Sequence, residues 1–180
     1  MGQPLINDKI NDSLNLLVQK LFLGNRLLDR IMSVLSVKFV MKSTVDVLHP
    51  LLAHSYPLLA DQISDYQDSK DCLTDYLDTP TDKSDYNTPK DAFVAYLDYS
   101  KELEEFIDEC VQICKDNGDR TTKVFLEKFL LEIQKFTSQA QLLVDKAESY
   151  GNSPSQYMEF DRDIQKMIIV QPVQGKTFNG

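Results

Sequence analysis

The chain has 180 residues, enough for one domain with a proper core, and 28 acidic against 19 basic residues give a net charge of -9. Such a surface repels phosphate backbones, so direct nucleic-acid binding is not expected. No apolar run approaches the ~20 residues a membrane span needs, and three cysteines are too few for a secreted disulfide scaffold. We therefore expect a cytoplasmic protein with free thiols at Cys72, Cys110 and Cys114. Residues 1–13, MGQPLINDKINDS, lack a basic segment followed by an apolar one and so do not resemble a secretory signal. Ile6 stands where a myristoylation signal has Ser or Thr.

Asn7-Asp8 can cap a first helix. Ile10, Leu14, Leu17, Leu21, Leu28, Ile31, Met32 and Leu35 then recur at helical spacing. Gly24 interrupts this pattern at a cost of about 1 kcal/mol relative to Ala. Leu16, Val18, Phe22, Leu23 and Leu27 make the helix apolar on more than one side, which suggests burial against partner helices or another subunit. A second helix is expected from Ser43, with Asp46 as a capping-box acid, or else from His49 with Pro50 in its first turn. Pro50 and Pro57 each remove an internal hydrogen bond and should bend it. Residues 74–87, TDYLDTPTDKSDYN, read as a long surface connection with room for one helical turn around Leu77.

Thr88-Pro89-Lys90-Asp91 carries the signature of a capped helix start. The helix that follows should bury Phe93, Leu97, Leu103, Phe106, Cys110, Ile113 and Cys114. Asn117-Gly118-Asp119 should turn the chain, with Gly118 left-handed and Asp119 capping a fourth helix. Phe125, Phe129, Ile133, Phe136, Ala140, Leu143 and Ala147 mark its core face. After Gly151 the helical period fades, and Lys166–Val170 has strand character. We expect residues 1–151 to form an antiparallel four-helix bundle and 152–180 an irregular tail on the bundle or a neighbouring subunit.

Four long helices with a long link between the second and third resemble the ferritin-like superfamily. Leu48-His49 followed by Tyr56 and Leu59-Ala60 is similar to the second-helix pattern of the DNA-protecting ferritin-like proteins of starved bacteria, the Dps family. Asn117-Gly118-Asp119 with Thr122 and Phe125-Leu126 resembles that family's entry into the fourth helix, and Glu132 and Lys135 fall near its Glu and Lys positions. The resemblance spans roughly residues 10–148. It implies an all-α ferritin-like bundle, a homo-oligomer, iron as the metal handled, and a ferroxidase-type oxidoreductase if the protein is an enzyme. It also implies gaps. Val37 and Ala53 fall where the family has metal ligands, and Ser64 falls on the first of an acidic pair whose second member is Asp68. His49 and Asp68 remain, there is no Glu-x-x-His, and the basic DNA-binding arm is missing.

The residues themselves offer Asp46, His49, Asp68 and Glu132 as metal-ligand candidates. Asp46 and His49, three apart, share a helical face, as carboxylate–His pairs do in metal-binding bundles. The plainer alternative is that Asp46 caps the helix and His49 bonds a neighbour. Glu132 lies between Phe129 and Phe136, where a metal could balance its charge, or, more plainly, Lys135, a Tyr or exposure to solvent. Cys110 and Cys114, one turn apart, suit burial better than a disulfide. Nucleophile elbows, phosphate-binding glycine loops and CxxC motifs are lacking. The expectation is thus a bundle with a degenerate oxidation site, or one that oxidises and stores iron at a relocated site.

Overall fold

A computed structural model describes residues 4–175. Helix α1 runs Asp8–Val37 and starts where expected: Asn7 Oδ1 accepts from Ile10 N at 3.0 Å. The chain then turns through Val40, which takes the left-handed φ of 58°, so that Met41 points into the core. The second helix is in three parts, α2 (Lys42–Leu48), a π turn (His49–Ala53) and α3 (Ser55–Asp68). Helices α4 (Pro89–Asp116) and α5 (Arg120–Tyr150) form the second hairpin. Thr88 and Asp91 make the reciprocal capping box, Gly118 takes φ 71°, and Asp119 accepts from Thr122 N.

Facing pairs give the topology. Gly24 meets Tyr56, and Asn15 meets Gln67, so α1 and α3 are antiparallel. Ser13 meets Cys110 and Lys20 meets Tyr99, so α1 and α4 are antiparallel as well. Helices α3 and α4 are therefore parallel, and the link between them must climb the whole bundle. Leu73 to Tyr86, nearly extended, reaches about 43 Å at ~3.3 Å per residue, and α1 advances about 40 Å from Asn11 to Lys38 at ~1.5 Å per residue. Polar side chains of α1 hold this segment along its length. Asn11 donates to Leu73 O (3.1 Å), Gln19 to Asp78 O (2.7 Å) and Arg30 to Ser84 O (2.6 Å), and Asn15 accepts from Asp75 N (3.0 Å). With its backbone groups taken by α1, the segment does not form the helical turn expected around Leu77.

Three further expectations are corrected. The Ser43–Asp46 capping box does not form; helix α2 starts one residue earlier and lacks a cap of its own. Its first N–H groups are taken by Asp161, which accepts from Thr44 N at 2.7 Å and Ser43 N at 3.3 Å. On the second hairpin the core face is rotated slightly: Tyr96, Ser100 and Ile107 are fully buried while Phe106 and Ile113 are only partly so, and Leu126 is buried where Phe125 instead stacks on Tyr66 at 3.9 Å. The tail is not irregular throughout. Ser153 and Gln156 make a second capping box for α6 (Pro154–Asp163), followed by a 3₁₀ turn at Ile164–Met167.

Lys166–Val170 has no strand to pair with among the described residues. A buried side-chain amide takes that place: Gln139 Nε2 donates to Met167 O and its Oε1 accepts from Ile169 N, both at 2.8 Å. Phe160 stacks on Phe93 at 5.6 Å, and Ile164, Met167 and Val170 are buried, so the tail closes one side of the bundle. Asp161→Ala should lower stability by about 1–2 kcal/mol, the loss of a helix cap. Thermal denaturation followed by circular dichroism measures this directly.

Candidate functional site

The middle of the bundle is a layer of Gly24 from α1, Tyr56 from α3, Tyr96, Tyr99 and Ser100 from α4 and Phe136 from α5. The Tyr56 ring meets Tyr96 and Phe136 edge-on at 6.4 and 6.2 Å. Gly24 is glycine because a Cβ there would collide with the rings of Tyr56 and Tyr99. Tyr99 donates to Lys20 O, and Ser100 Oγ donates to Tyr96 O at 2.9 Å. The Tyr56 and Tyr96 hydroxyls lie beside each other and Ser100 but make no well-formed hydrogen bond. Burial pushes both phenols above their ordinary pKa, so they stay neutral.

No described Asp, Glu or His is buried. The buried polar side chains are Ser13, Asn15, Thr44, Ser55, Gln67, Ser100, Thr122 and Gln139. Bundle proteins that hold two iron or manganese ions use four inward carboxylates and two Glu-x-x-His histidines. Hydroxyls, amides and phenols do not make that donor set, so the interior does not fit it. The thiols do not substitute. Burial pushes Cys110 up to about 12 and Cys114 up to about 11, which keeps them protonated near neutrality.

The four sequence candidates lie outside this layer. Asp46 is exposed on α2. His49 is half-exposed, and its Nε2 lies 3.0 Å from Asp29 Oδ1 on α1. Asp68, at the end of α3, is exposed beside a surface recess shared with Ile6, Asp8 and Cys72. Glu132 is exposed and paired with Lys135 at 2.7 Å, the partner named from sequence. Among the described residues no three His, Cys, Asp or Glu side chains stand together as a ready metal site.

The sequence reading missed Asp29; His54, which could extend the Asp46–His49 cluster, does stand beside His49, with ring centroids 4.5 Å apart. The one available signal was Asn25 and Asp29, one turn apart on α1. Asn25 Nδ2 donates to Ala53 O at 3.0 Å. That carbonyl is the one left unbonded because Pro57, four residues on, has no N–H.

The ferritin-like domain pattern matches residues 57–150, more than half of the chain. The chain belongs to the ferritin-like family. The match covers α3, the crossing segment and the second hairpin of this ferritin-like chain. Solved ferritin structures superpose over nearly its whole length. A closed form of the Archaeoglobus fulgidus ferritin, engineered by site-directed mutagenesis, aligns with TM-score 0.83 and 16% identity, covering 93% of this chain and 99% of that one. The open-pore ferritin of the same hyperthermophilic archaeon gives 0.79 and 17%, covering 88% and 97%. A humanized archaeal ferritin gives 0.83 and 16%, covering 94% and 99%. At such identities the likeness speaks for the fold. No curated protein sequence matches the chain significantly. No helix among the described residues is long and apolar enough to cross a membrane.

Proposed function

We propose that this ferritin-like protein is a cytoplasmic, homo-oligomeric assembly or binding protein of the iron and stress-protein kind whose oxidation site is degenerate. The observation that carries the reading is the middle of the bundle. Tyr56, Tyr96 and Ser100 fill it, and among the described residues no buried carboxylate or imidazole is there to bind iron as substrate. Kinship with the Dps family is supported by the Leu48-His49 and Asn117-Gly118-Asp119 motifs. In this fold His49 bonds Asp29 and Asp119 caps α5, so those residues also serve the scaffold. Self-association is supported by apolar side chains left open beside α1: Leu73 is 83% and Tyr76 63% exposed on the crossing segment, with Leu16 of α1 exposed nearby.

The test is anaerobic Fe(II) addition followed by oxygen, with native mass measured on the same sample. We expect no rapid stoichiometric oxidation and a mass well above the monomer. Rapid oxidation abolished by His49→Ala would overturn the degenerate-site reading. A shell of ~12 subunits would support the Dps kinship, and a monomer would end the assembly reading. The second reading, iron oxidised and stored at a relocated site using Asp46, His49, Asp68 or Glu132, draws on the likeness to archaeal ferritins. It requires iron, manganese or zinc to be found by elemental analysis after metal-replete expression.

A further inference from the structure

We propose that Asp29, His49 and His54 form a surface site for one divalent transition ion of the imidazole-preferring class, with zinc as the probe. The site lies outside the bundle interior and does not depend on the reading above. It is built by the break in the second helix. At ~3.6 residues per turn, residues five apart on an α-helix point about 140° away from each other. Here the turn is widened: His54 N donates to His49 O at 3.2 Å, the five-residue bond of a π turn. The widened turn brings both imidazoles to one side, with ring centroids 4.5 Å apart. Pro50 lies inside the turn and Pro57 just beyond it, each unable to donate the bond that a regular helix needs. Asn25 then locks the arrangement from α1 by capping Ala53 O.

One turn along α1 from Asn25, Asp29 supplies the carboxylate. Its Oδ1 stands 3.0 Å from His49 Nε2. Two donors bound to one tetrahedral zinc at ~2.0–2.1 Å are about 3.3 Å apart. The pair is thus already near coordinating separation, and an ion between them would replace their hydrogen bond. The third donor would be the exposed His54 ring, whose centroid stands 4.5 Å from that of His49. Water completes four ligands. The three donors are adjacent and not yet converged in the described structure. Both members of the close pair are open to solvent, at 39% and 42% exposure, so an ion has a direct path. Two imidazoles with one carboxylate favour zinc, copper or nickel over magnesium or calcium, which prefer all-oxygen sites. His49 to Asp29 could instead serve only to tie the π turn to α1. That role needs no second imidazole, yet an exposed one stands 4.5 Å from His49.

The test is calorimetric titration of the full chain with zinc chloride, with magnesium chloride as control. One zinc per chain and no magnesium binding are expected. His54→Ala and Asp29→Asn should each weaken zinc binding by about tenfold or more, with circular dichroism confirming that both variants remain folded. The chain has only two histidines, so proton NMR gives a second readout: both imidazole signals should shift together as zinc is added. Unchanged zinc affinity in both variants, no zinc binding, or imidazole signals that stay still or move independently would overturn the site.

Discussion

Tyr56→Ala is expected to destabilise the protein by about 3–5 kcal/mol, the range for removing a large buried aromatic side chain. Tyr56 is fully buried, packed edge-on against Tyr96 and Phe136 and pressed against Gly24. Three of the four main helices meet on its ring. Its loss leaves a cavity that cannot collapse, because Pro57 and the π turn hold the local backbone and Asn25 fixes it to α1. Tyr56→Phe separates packing from polarity. The hydroxyl is buried without a well-formed hydrogen bond, so deleting it should change stability by no more than about 1 kcal/mol and can raise it. Denaturant midpoints for the two variants decide the matter. Equal losses would mean that the hydroxyl, through Tyr96 and Ser100, holds the layer together, and that packing does not.

Gly24→Leu is the complementary experiment, expected to cost about 3 kcal/mol. Two effects oppose each other. A leucine has better helix propensity than glycine by nearly 1 kcal/mol. Against this, even a Cβ at Gly24 runs into the rings of Tyr56 and Tyr99. Those atoms are ring carbons in a packed core, so they cannot swing aside, and overpacking at the upper end of its usual ~1–3 kcal/mol is expected together with displaced backbone. The collision wins. The double variant Gly24→Leu with Tyr56→Ala should cost less than the sum of the two singles by more than about 1 kcal/mol, because the leucine enters the space the tyrosine leaves. A strictly additive double variant would show that the two positions do not share one packing layer.

These two residues also show how far the sequence could be read. Gly24 looked like a defect in a helical pattern, and Tyr56 entered only as one position of the second-helix motif. Neither composition nor spacing says that a glycine on one helix and a tyrosine on another face each other, since that depends on how two helices approach. The same holds for Asp29, 20 residues from His49 in sequence, and for Asp161, which caps α2 from 117 residues beyond Thr44. Local signals carry a few residues and these contacts do not.

What the sequence determined alone was the long helices and most of their ends. The caps at Asn7, Thr88 and Asp119, the left-handed Gly118 and the apolar periodicity act within a turn or two of chain, and each forms as its residues dictate. The long link was equally legible, because acids and turn-formers between two helical patterns leave little else. The tertiary structure decided the rest. It turned strand-like Lys166–Val170 into a segment bound by the Gln139 amide, since backbone groups take whatever partner packing brings. It chose the π turn over a simple bend at Pro50 and Pro57, because Asn25 was there to satisfy Ala53. It filled the bundle interior with tyrosines and a serine and left the acids outside. Which polar side chains gather is a property of helix packing in three dimensions, and one-dimensional spacing does not contain it.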